Sequence, residues 1–534
     1  MSGRNRSWDL AIVALCLLAG PGLVGLGAPG CGWHGGRMPY AVAPAARAAG
    51  ERPVAAAGRH DTEDYARIDE NPFLDARDAP LSTFAVDVDS ASYSNVRRFL
   101  RAGRLPPADA VRIEELINYF DYDYPQPQGE QPFSVSAEVA GCPWNPAHRL
   151  VRVGLQGRRI ERGRTPPRNL VFLLDVSGSM AGPHKLGLLK SAMKLLVEGL
   201  GPRDRVAIAV YAGASGLVLE PTRGDRPQRI LDALARLRAG GSTNGGAGIE
   251  LAYRTARRHF DPQGINRVIL ATDGDFNVGV TGHGALTRLI ERQRASGVYL
   301  TVLGFGGGNL KDATMESLAD RGNGNYAYID SLAEARKVLV TEAGATLVTI
   351  AEDVKIQVEF NPQRVRAYRL IGYENRLLRA EDFADDAKDA GEIGAGHSVT
   401  ALYEIVPAGS GAGAPARRRA PLRYQSARTA TARADSNELL SLRLRYKPPA
   451  GSSSRLIEGV VEDRGQGLQH ASAGLRHAAA VAAFGMLLRG SAHRGQADYD
   501  LVAELAAAGR GADRHGYRRE FAELVATARE LADR

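Results

Sequence analysis

The pattern of hydrophobic and polar positions is most regular in the middle of the chain. Apolar runs, "LVFLLD", "RVAIAVY", "RVILAT" and "VYLTVLGF", alternate there with amphipathic helical segments. These helical segments are Lys185–Glu198, Arg226–Leu237, Gly246–Phe260, Ala285–Ala295 and Ala313–Ala319. Strands that are apolar on both faces and joined by helices form mostly parallel sheets, covered on both sides. The pattern therefore predicts a doubly wound, Rossmann-like α/β domain over residues 168–346.

The segment "GLVLEPT" interrupts this alternation. It follows the strand "RVAIAVY" after only a short connection, which leaves no room for the helix that a parallel crossover needs. We therefore expect it to be an antiparallel strand at the edge of the sheet.

The segments on either side of the α/β domain have different patterns. Residues 71–157 combine helical spacing in "ADAVRIEELINYF" with strand-like alternation in "FSVSAEV", which predicts a small α+β extension. Residues 350–534 begin with strand patterns, "DVKIQVEFNP", "SVTALYEIVP" and "LLSLRLRYK". Helical segments follow, at Ser472–Leu488, Ala497–Ala508 and Tyr517–Ala532. We predict a C-terminal domain that is first β-rich and then helical.

The first 31 residues resemble an export signal. Two arginines precede an apolar run, Leu10–Ala28, which glycines and a proline interrupt, so a permanent transmembrane helix is disfavoured. The run leads into "GAPGC", which is similar to a bacterial lipobox, in which the cysteine, here Cys31, becomes lipidated. Residues 32–70 are rich in Ala, Gly, Arg and Pro and are expected to form a flexible tether. Plain secretion and an uncleaved anchor are the alternatives.

The composition is that of a folded protein with several domains. The 534 residues are too many for one hydrophobic core, and 44% are hydrophobic and 24% charged. The net charge of +8 comes from arginines spread along the chain, with one tight cluster at Arg417–Arg419, so we expect no nucleic-acid partner. Cys16, Cys31 and Cys142 are too few for a disulfide framework or a zinc site. Cys142 is expected to be a lone buried thiol.

Oxygen-bearing side chains lie at the ends of the predicted strands or in the loops beside them. They are Asp175, Ser177 and Ser179 in "DVSGSM", Ser242 and Thr243 in "GGSTNGGAGI", and Asp273 in "ATDGDFNVG". An open parallel sheet binds ligands beyond the carboxyl ends of its strands, where the strand order reverses. Carboxylates and hydroxyls are hard ligands, which suit Mg²⁺, Mn²⁺ or Ca²⁺ better than zinc. Two carboxylates and three hydroxyls leave one octahedral position open, which favours an anionic oxygen such as a partner's carboxylate.

The order and context of these motifs resemble the metal-ion-dependent adhesion site of von Willebrand factor type A (vWA) domains. The resemblance covers residues 169–345, and it implies a cation held by Asp175, Ser177, Ser179, Thr243 and Asp273. In that family the hydroxyls bind the ion directly and the aspartates often act through water. The flanks "FAVDVDSASYSNVRRFL" and "RIEELINYFDYDYP" resemble a bacterial group of exported vWA proteins, which have an N-terminal extension and a C-terminal domain of unknown role.

Other interpretations of the same residues are open. The serines could serve only as turn formers, and Thr243 could be a helix N-cap. Phosphatases of the haloacid-dehalogenase type also place an aspartate nucleophile after an apolar strand, but Ser177 stands where their second acid is needed. A serine hydrolase would need a G-x-S-x-G turn and a histidine, and the motif has neither. Phosphoryl transfer by Asp175 and a metal-free structural scaffold are therefore the alternatives.

The favoured prediction is a non-enzymatic, metal-dependent protein-binding protein of the bacterial cell envelope, which serves in adhesion or as an assembly scaffold. Its cation is expected to be Mg²⁺, with Mn²⁺ or Ca²⁺ possible at the same oxygen ligands. The expected partner is a protein that supplies an acidic side chain. An N-terminal lipid on Cys31 would tether the chain to the membrane, facing the periplasm or the cell surface.

Overall fold

The computed structural model describes most of the chain from residue 63 onward. The described ranges are 63–86, 89–161, 164–212, 215–241, 245–274, 283–343, 347–410, 430–449, 451 and 453–534. Cys31 and Thr243 lie outside these ranges. The described elements belong to one compact unit, Arg59–Arg534.

The elements follow one another along the chain in three groups. The first group is β1 (Leu74–Asp75), β2 (Leu81–Ala85), α1 (Ala91–Arg101), α2 (Ile113–Asn118), β3 (Phe133–Gly141) and β4 (Arg149–Gly157). The second group is β5 (Arg168–Asp175), α3 (Leu188–Glu198), β6 (Arg205–Tyr211), β7 (Ser215–Arg223), α4 (Pro227–Arg236), α5 (Gly245–Arg258), β8 (Ile265–Thr272), α6 (His283–Arg294), β9 (Tyr299–Phe305), α7 (Asp312–Arg321), β10 (Tyr326–Ile329) and α8 (Leu332–Arg336). The third group is β11 (Thr349–Phe360), β12 (Val365–Ile371), β13 (Leu377–Leu378), β14 (Gly391–Gly394), β15 (Ser398–Pro407), β16 (Glu438–Lys447), β17 (Arg455–Glu462), α9 (Ala473–Arg489), α10 (Tyr499–Ala508) and α11 (Tyr517–Ala532).

The central sheet has the strand order β10-β9-β8-β5-β6-β7. Its strands are parallel except β7, which pairs antiparallel with β6 at the edge. Side chains of β5 alternate between two apolar layers, with Phe172 facing the layer that contains α3 and Leu173 facing the layer that contains α5. The predicted doubly wound fold and its antiparallel edge strand are confirmed. The chain runs from β5 to β6 on one side and returns to β8 on the other, so the strand order reverses between β5 and β8.

The other strands form two antiparallel sheets that share one apolar core. Their orders are β1-β12-β15-β4-β3 and β13-β2-β11-β16-β17, with β14 paired to β11. Strands that precede the central domain in the sequence pair with strands that follow it: β2 pairs with β11, and β4 pairs with β15. The alternating residues of β11, Val354, Ile356, Val358 and Phe360, all lie in the shared core. The predicted N-terminal extension and C-terminal β-rich region therefore build one sandwich together.

The C-terminal helices pack against the helices of the N-terminal extension. Tyr93 and Phe120 from the extension join Leu475 of α9 and Phe521 of α11 in one apolar cluster. Ser472 and Asp498 cap the first two C-terminal helices through their side-chain oxygens. The extension thus contacts both the sandwich strands and the final helices.

One isolated prediction, for Cys142, can be compared with the described residues. Cys142 is a buried free thiol, as expected, and burial raises its pKa well above the usual range. Across the described ranges, no helix combines the length and apolar character that crossing a membrane requires.

Candidate metal site

The first part of the site is the end of β5. The apolar run Leu170–Leu174 is fully buried and brings Asp175, the last residue of the strand, into the protein with no exposed surface. One carboxylate oxygen of Asp175, Oδ2, accepts hydrogen bonds from Tyr211 Oη at 3.1 Å and from Thr272 Oγ1 at 3.0 Å. Tyr211 ends β6 and Thr272 ends β8, so the two strands that flank β5 both orient this carboxylate.

The turn after β5 brings the serine hydroxyls together. The backbone N–H of Ser177 donates to Asp175 Oδ1 at 2.9 Å, and the hydroxyl oxygens of Ser177 and Ser179 lie 2.9 Å apart. The N–H of Gly178 donates to the carbonyl of Gly241 at 3.1 Å. This bond attaches the turn to the chain segment that directly precedes Ser242 and Thr243 in the sequence.

The end of β8 supplies the second carboxylate. Asp273 follows Thr272 and is fully buried. Gly274 has a φ of +96°, and a Cβ there would lie 2.6 Å from the backbone nitrogen of Lys311. Only glycine fits this close approach between the loops after β8 and β9. Gly274 therefore allows Asp273, the residue before it, to lie directly beside the loop that follows β9.

A lysine that the sequence analysis did not single out reaches the same carboxylate. Lys185 Nζ lies 2.8 Å from Asp273 Oδ2 and donates to Asn309 Oδ1 at 3.1 Å. Lys185 belongs to the helical turn Pro183–Gly187 that precedes α3, and Asn309 follows β9. Neither residue carries a sequence signal, because a lone Lys before a helix and an Asn in a glycine-rich loop are common on protein surfaces.

The electrostatics of the site disfavour uncompensated negative charge. Burial raises the pKa of Asp175, and the nearby charge of Asp273 raises it further, against the hydrogen bonds from Ser177. Burial and the charge of Asp175 also raise the pKa of Tyr211 well above its usual range, so this hydroxyl stays a hydrogen-bond donor. Two buried carboxylates beside each other favour a cation between or next to them.

The chemistry of the side chains fits a hard divalent cation. The described part of the chain has no cluster of three or more His, Cys, Asp or Glu side chains arranged for a metal. The candidate site instead combines two carboxylates, Asp175 and Asp273, with the hydroxyls of Ser177 and Ser179. Oxygen-only sets with few carboxylates suit Mg²⁺ and Mn²⁺, which keep several water ligands.

The four predicted residues in the described ranges gather at one end of the β5–β8 pair, at the predicted reversal of strand order. Thr243, the fifth, lies outside the described residues. The sequence motifs did not point to Tyr211 and Thr272, which hold Asp175 through hydrogen bonds. Their positions at the ends of β6 and β8 were the available signal, since parallel neighbours of β5 must end beside it.

Family models match the chain in three adjacent segments. The von Willebrand factor type A domain matches residues 169–341, a model described as von Willebrand factor matches residues 59–152, and the model of the C-terminal region of YfbK matches residues 345–531. The fold and these matches define the class: the chain is a vWA-domain protein with flanking domains. Proteins of this class generally mediate protein–protein interactions.

The relatives identify the family within that class. Over 480 residues the chain is 44% identical to Uncharacterized protein YfbK of Escherichia coli (strain K12), covering 88% of this chain and 81% of that protein. The chain belongs to the YfbK family. Uncharacterized protein sll0103 of Synechocystis sp. is 30% identical over 199 residues, which is 37% of this chain and 45% of that one. A solved vWA protein from Catenulispora acidiphila aligns with 18% identity and a TM-score of 0.38, over 74% of this chain and 91% of that one.

Proposed function

We propose that this protein is a non-enzymatic, cation-dependent protein-binding protein of the bacterial cell envelope. Asp175, Ser177, Ser179, Thr243 and Asp273 would hold one Mg²⁺ at the end of β5 and β8, with Mn²⁺ or Ca²⁺ as alternatives. A bound cation supplies a positively charged point that attracts an anionic oxygen. A carboxylate from a partner protein would take the open position.

One observation carries this proposal: two fully buried carboxylates and two convergent serine hydroxyls lie at the point where the strand order of the sheet reverses. Burying carboxylates costs free energy unless a cation or hydrogen bonds compensate it. Three of the five proposed ligands are neutral hydroxyls, so the ion is surrounded by fewer anionic oxygens than in an all-carboxylate site, and an additional anion from outside would be attracted at the open position. This is the chemistry of a docking point for acidic side chains.

The arrangement also bears on the enzymatic alternative. A nucleophilic Asp175 would need a nearby acid or base for proton transfer. The position two residues on is Ser177, which cannot replace a general acid. Protein binding is therefore favoured over phosphoryl transfer.

The location rests on the N-terminal sequence. The export signal over residues 1–31, the lipobox-like Cys31 and the tether-like residues 32–70 favour a lipoprotein whose folded part faces the periplasm or the cell surface. Metabolic labelling with a fatty-acid analogue tests this proposal, because Cys31→Ser should abolish incorporation. Equal incorporation into the wild type and Cys31→Ser would contradict lipidation at this residue.

The binding proposal is tested with immobilised full-length protein and bacterial envelope extract. We expect the wild type to retain a defined set of proteins in Mg²⁺ and to release them when the metal is chelated. Asp175→Ala should retain none of this set while remaining folded under the conditions of the assay. The matched control is Asp232→Ala, an exposed aspartate of α4, which should behave as wild type. Retention by Asp175→Ala with unchanged Mg²⁺ dependence would contradict the proposal.

A further inference from the structure

The ammonium group of Lys185 forms an ion pair with Asp273, one of the two carboxylates of the candidate metal site. Its Nζ lies 2.8 Å from Asp273 Oδ2, a carboxylate with no exposed surface. The Lys185 side chain itself is 18% exposed. A cation from the protein is therefore already paired with one of the two carboxylates of the candidate site.

Neighbouring residues are shaped to hold Lys185 in this position. Asn309 Oδ1 accepts a second hydrogen bond from Lys185 Nζ at 3.1 Å. Gly306 has a φ of +75°, and a Cβ there would lie 2.5 Å from both Cγ and Cε of Lys185. The aliphatic part of Lys185 thus occupies the space that any side chain at position 306 would fill. This close fit distinguishes Lys185 from a lysine that reaches an acid by chance.

The glycine-rich loop that contacts Lys185 is itself fixed from the N-terminal extension. The N–H of Gly308 donates to Glu63 Oε1 at 2.6 Å, and Arg98 of α1 forms an ion pair with Glu63 at 2.7 Å. The loop side of the contact is therefore anchored. The segment that carries Lys185 is less constrained, because the residues just before it, from Ala181 to His184, are exposed.

We infer that Lys185 is an internal competitor of the divalent cation. In the metal-free protein its ammonium compensates the charge of Asp273, and a divalent ion must displace it to bind. This inference rests on the proposed cation site. Two cations beside the same carboxylate repel each other, and this repulsion is stronger inside a protein than in water. Lys185 would then lower cation affinity and couple cation binding to movement of residues 181–185.

Displacement of Lys185 is compatible with the surrounding packing. The turn Pro183–Gly187 precedes α3, and its one buried residue is Leu186. The backbone departs from helical geometry at Lys185, with φ −116° and ψ −106°. Lys185 can therefore change its side-chain direction while α3 keeps its apolar contacts with the sheet.

The first test is calorimetric titration of Mg²⁺ into the full-length wild type, Lys185→Met and Lys190→Met. Lys185→Met keeps the aliphatic stem and removes the charge, and we expect its affinity for Mg²⁺ to rise about tenfold or more, the effect of removing one nearby like charge. Lys190→Met is the matched control, because the described hydrogen bonds of the Lys190 ammonium go to the carbonyls of Ala235 and Leu237 at the C-terminal end of α4 and not to a carboxylate of the site. It should bind as the wild type does.

The outcomes separate this inference from the proposed function. Binding by the wild type with equal or weaker affinity in Lys185→Met would overturn the role of Lys185 and leave the cation site intact. Absence of binding in both proteins would overturn the cation site and the inference together. Binding by Lys185→Met alone would support the inference in its strongest form.

The second test uses the unmodified protein, so it does not depend on the folding of a variant. An amine-reactive reagent is applied with and without saturating Mg²⁺, and the modification of each lysine is followed by mass spectrometry. We expect Lys185 to react several times faster when Mg²⁺ is bound, because the released ammonium becomes exposed. Lys190 should react at the same rate in both conditions. An unchanged rate at Lys185 under Mg²⁺ saturation would contradict displacement.

Discussion

Thr272 Oγ1 donates a hydrogen bond to Asp175 Oδ2 over 3.0 Å and so joins the ends of β8 and β5. The same hydroxyl accepts a bond from the N–H of Gly274 at 3.2 Å. Thr272 therefore positions both the carboxylate of Asp175 and the turn at Gly274. The threonine of "ATDG" is a positioning residue, which links two stretches that lie far apart in the sequence.

Thr272→Val tests this positioning role, because it removes the hydroxyl and keeps the shape. We expect the affinity for Mg²⁺ to fall about tenfold or more, since a hydrogen bond to a charged group contributes roughly 1.5–3 kcal/mol. The measurement is calorimetric titration, with Thr222→Val as the matched control on the edge strand, where the one described hydrogen bond of the hydroxyl goes to the carbonyl of Glu220. Equal affinities in both variants would show that Thr272 does not orient Asp175.

Thr243 is the predicted ligand that lies outside the described residues. Its role as a ligand is therefore tested by two substitutions that differ in whether they keep the hydroxyl. Thr243→Ser keeps the hydroxyl, and Thr243→Ala removes it. We expect Thr243→Ala to weaken Mg²⁺ binding more than Thr243→Ser does, as measured by titration. Equal losses in the two variants would mean that the hydroxyl of Thr243 does not bind the ion.

The sequence predicts the fold and the candidate metal site to different extents. The apolar runs and helical segments were enough to predict the central sheet, because each strand there is buried on both faces. The shared sandwich was not predictable, since partners such as Ala85 and Lys355 are separated by the whole central domain. Asp175 and Asp273 follow strands in recognisable motifs. Lys185 reaches Asp273 only through the tertiary packing of two loops.

Arg97 of α1 joins the N-terminal extension to the central domain through buried ion pairs. Its guanidinium lies 2.5 Å from Asp330 and 2.7 Å from Glu334, and its side chain is only 3% exposed. Arg97→Met would leave both carboxylates buried without their cation, and we expect the free energy of unfolding to fall by about 3–5 kcal/mol. Denaturant unfolding measures this loss.

Arg101→Met is the matched control for Arg97. Arg101 also lies on α1 and pairs with Glu520 at 2.7 Å, but its side chain is 53% exposed. An exposed ion pair contributes at most about 1 kcal/mol, so this variant should remain close to the wild type. Similar losses in the two variants would contradict the view that the buried ion pairs hold the extension.

His477 predicts a pH dependence of stability. It is fully buried in α9, and its ring nitrogens have no hydrogen-bond partner among the described residues. Burial lowers its pKa well below the usual value, and the charge of Arg518 lowers it further. The unfolded state therefore takes up a proton below about pH 6.5 that the folded state refuses, so stability is full above that pH and falls as the pH decreases.

His477→Gln removes this titration. Below about pH 6.5 we expect the wild type to lose about 1.4 kcal/mol of unfolding free energy per pH unit more than the variant does. Denaturant unfolding at a series of pH values between 7 and 5 gives this difference in slope, with His470→Gln as the control on an exposed histidine. Identical slopes in the wild type and His477→Gln would show that His477 is protonated in the folded protein.

The central claim is that the site at the end of β5 binds a divalent cation through Asp175. The most direct measurement is calorimetric titration of Mg²⁺, Mn²⁺ and Ca²⁺ into the full-length wild type and into Asp175→Asn, which keeps the shape of the side chain and removes its charge. We predict one ion per chain for the wild type and loss of binding in Asp175→Asn. Absence of binding by the wild type, or unchanged binding in the variant, would contradict the claim.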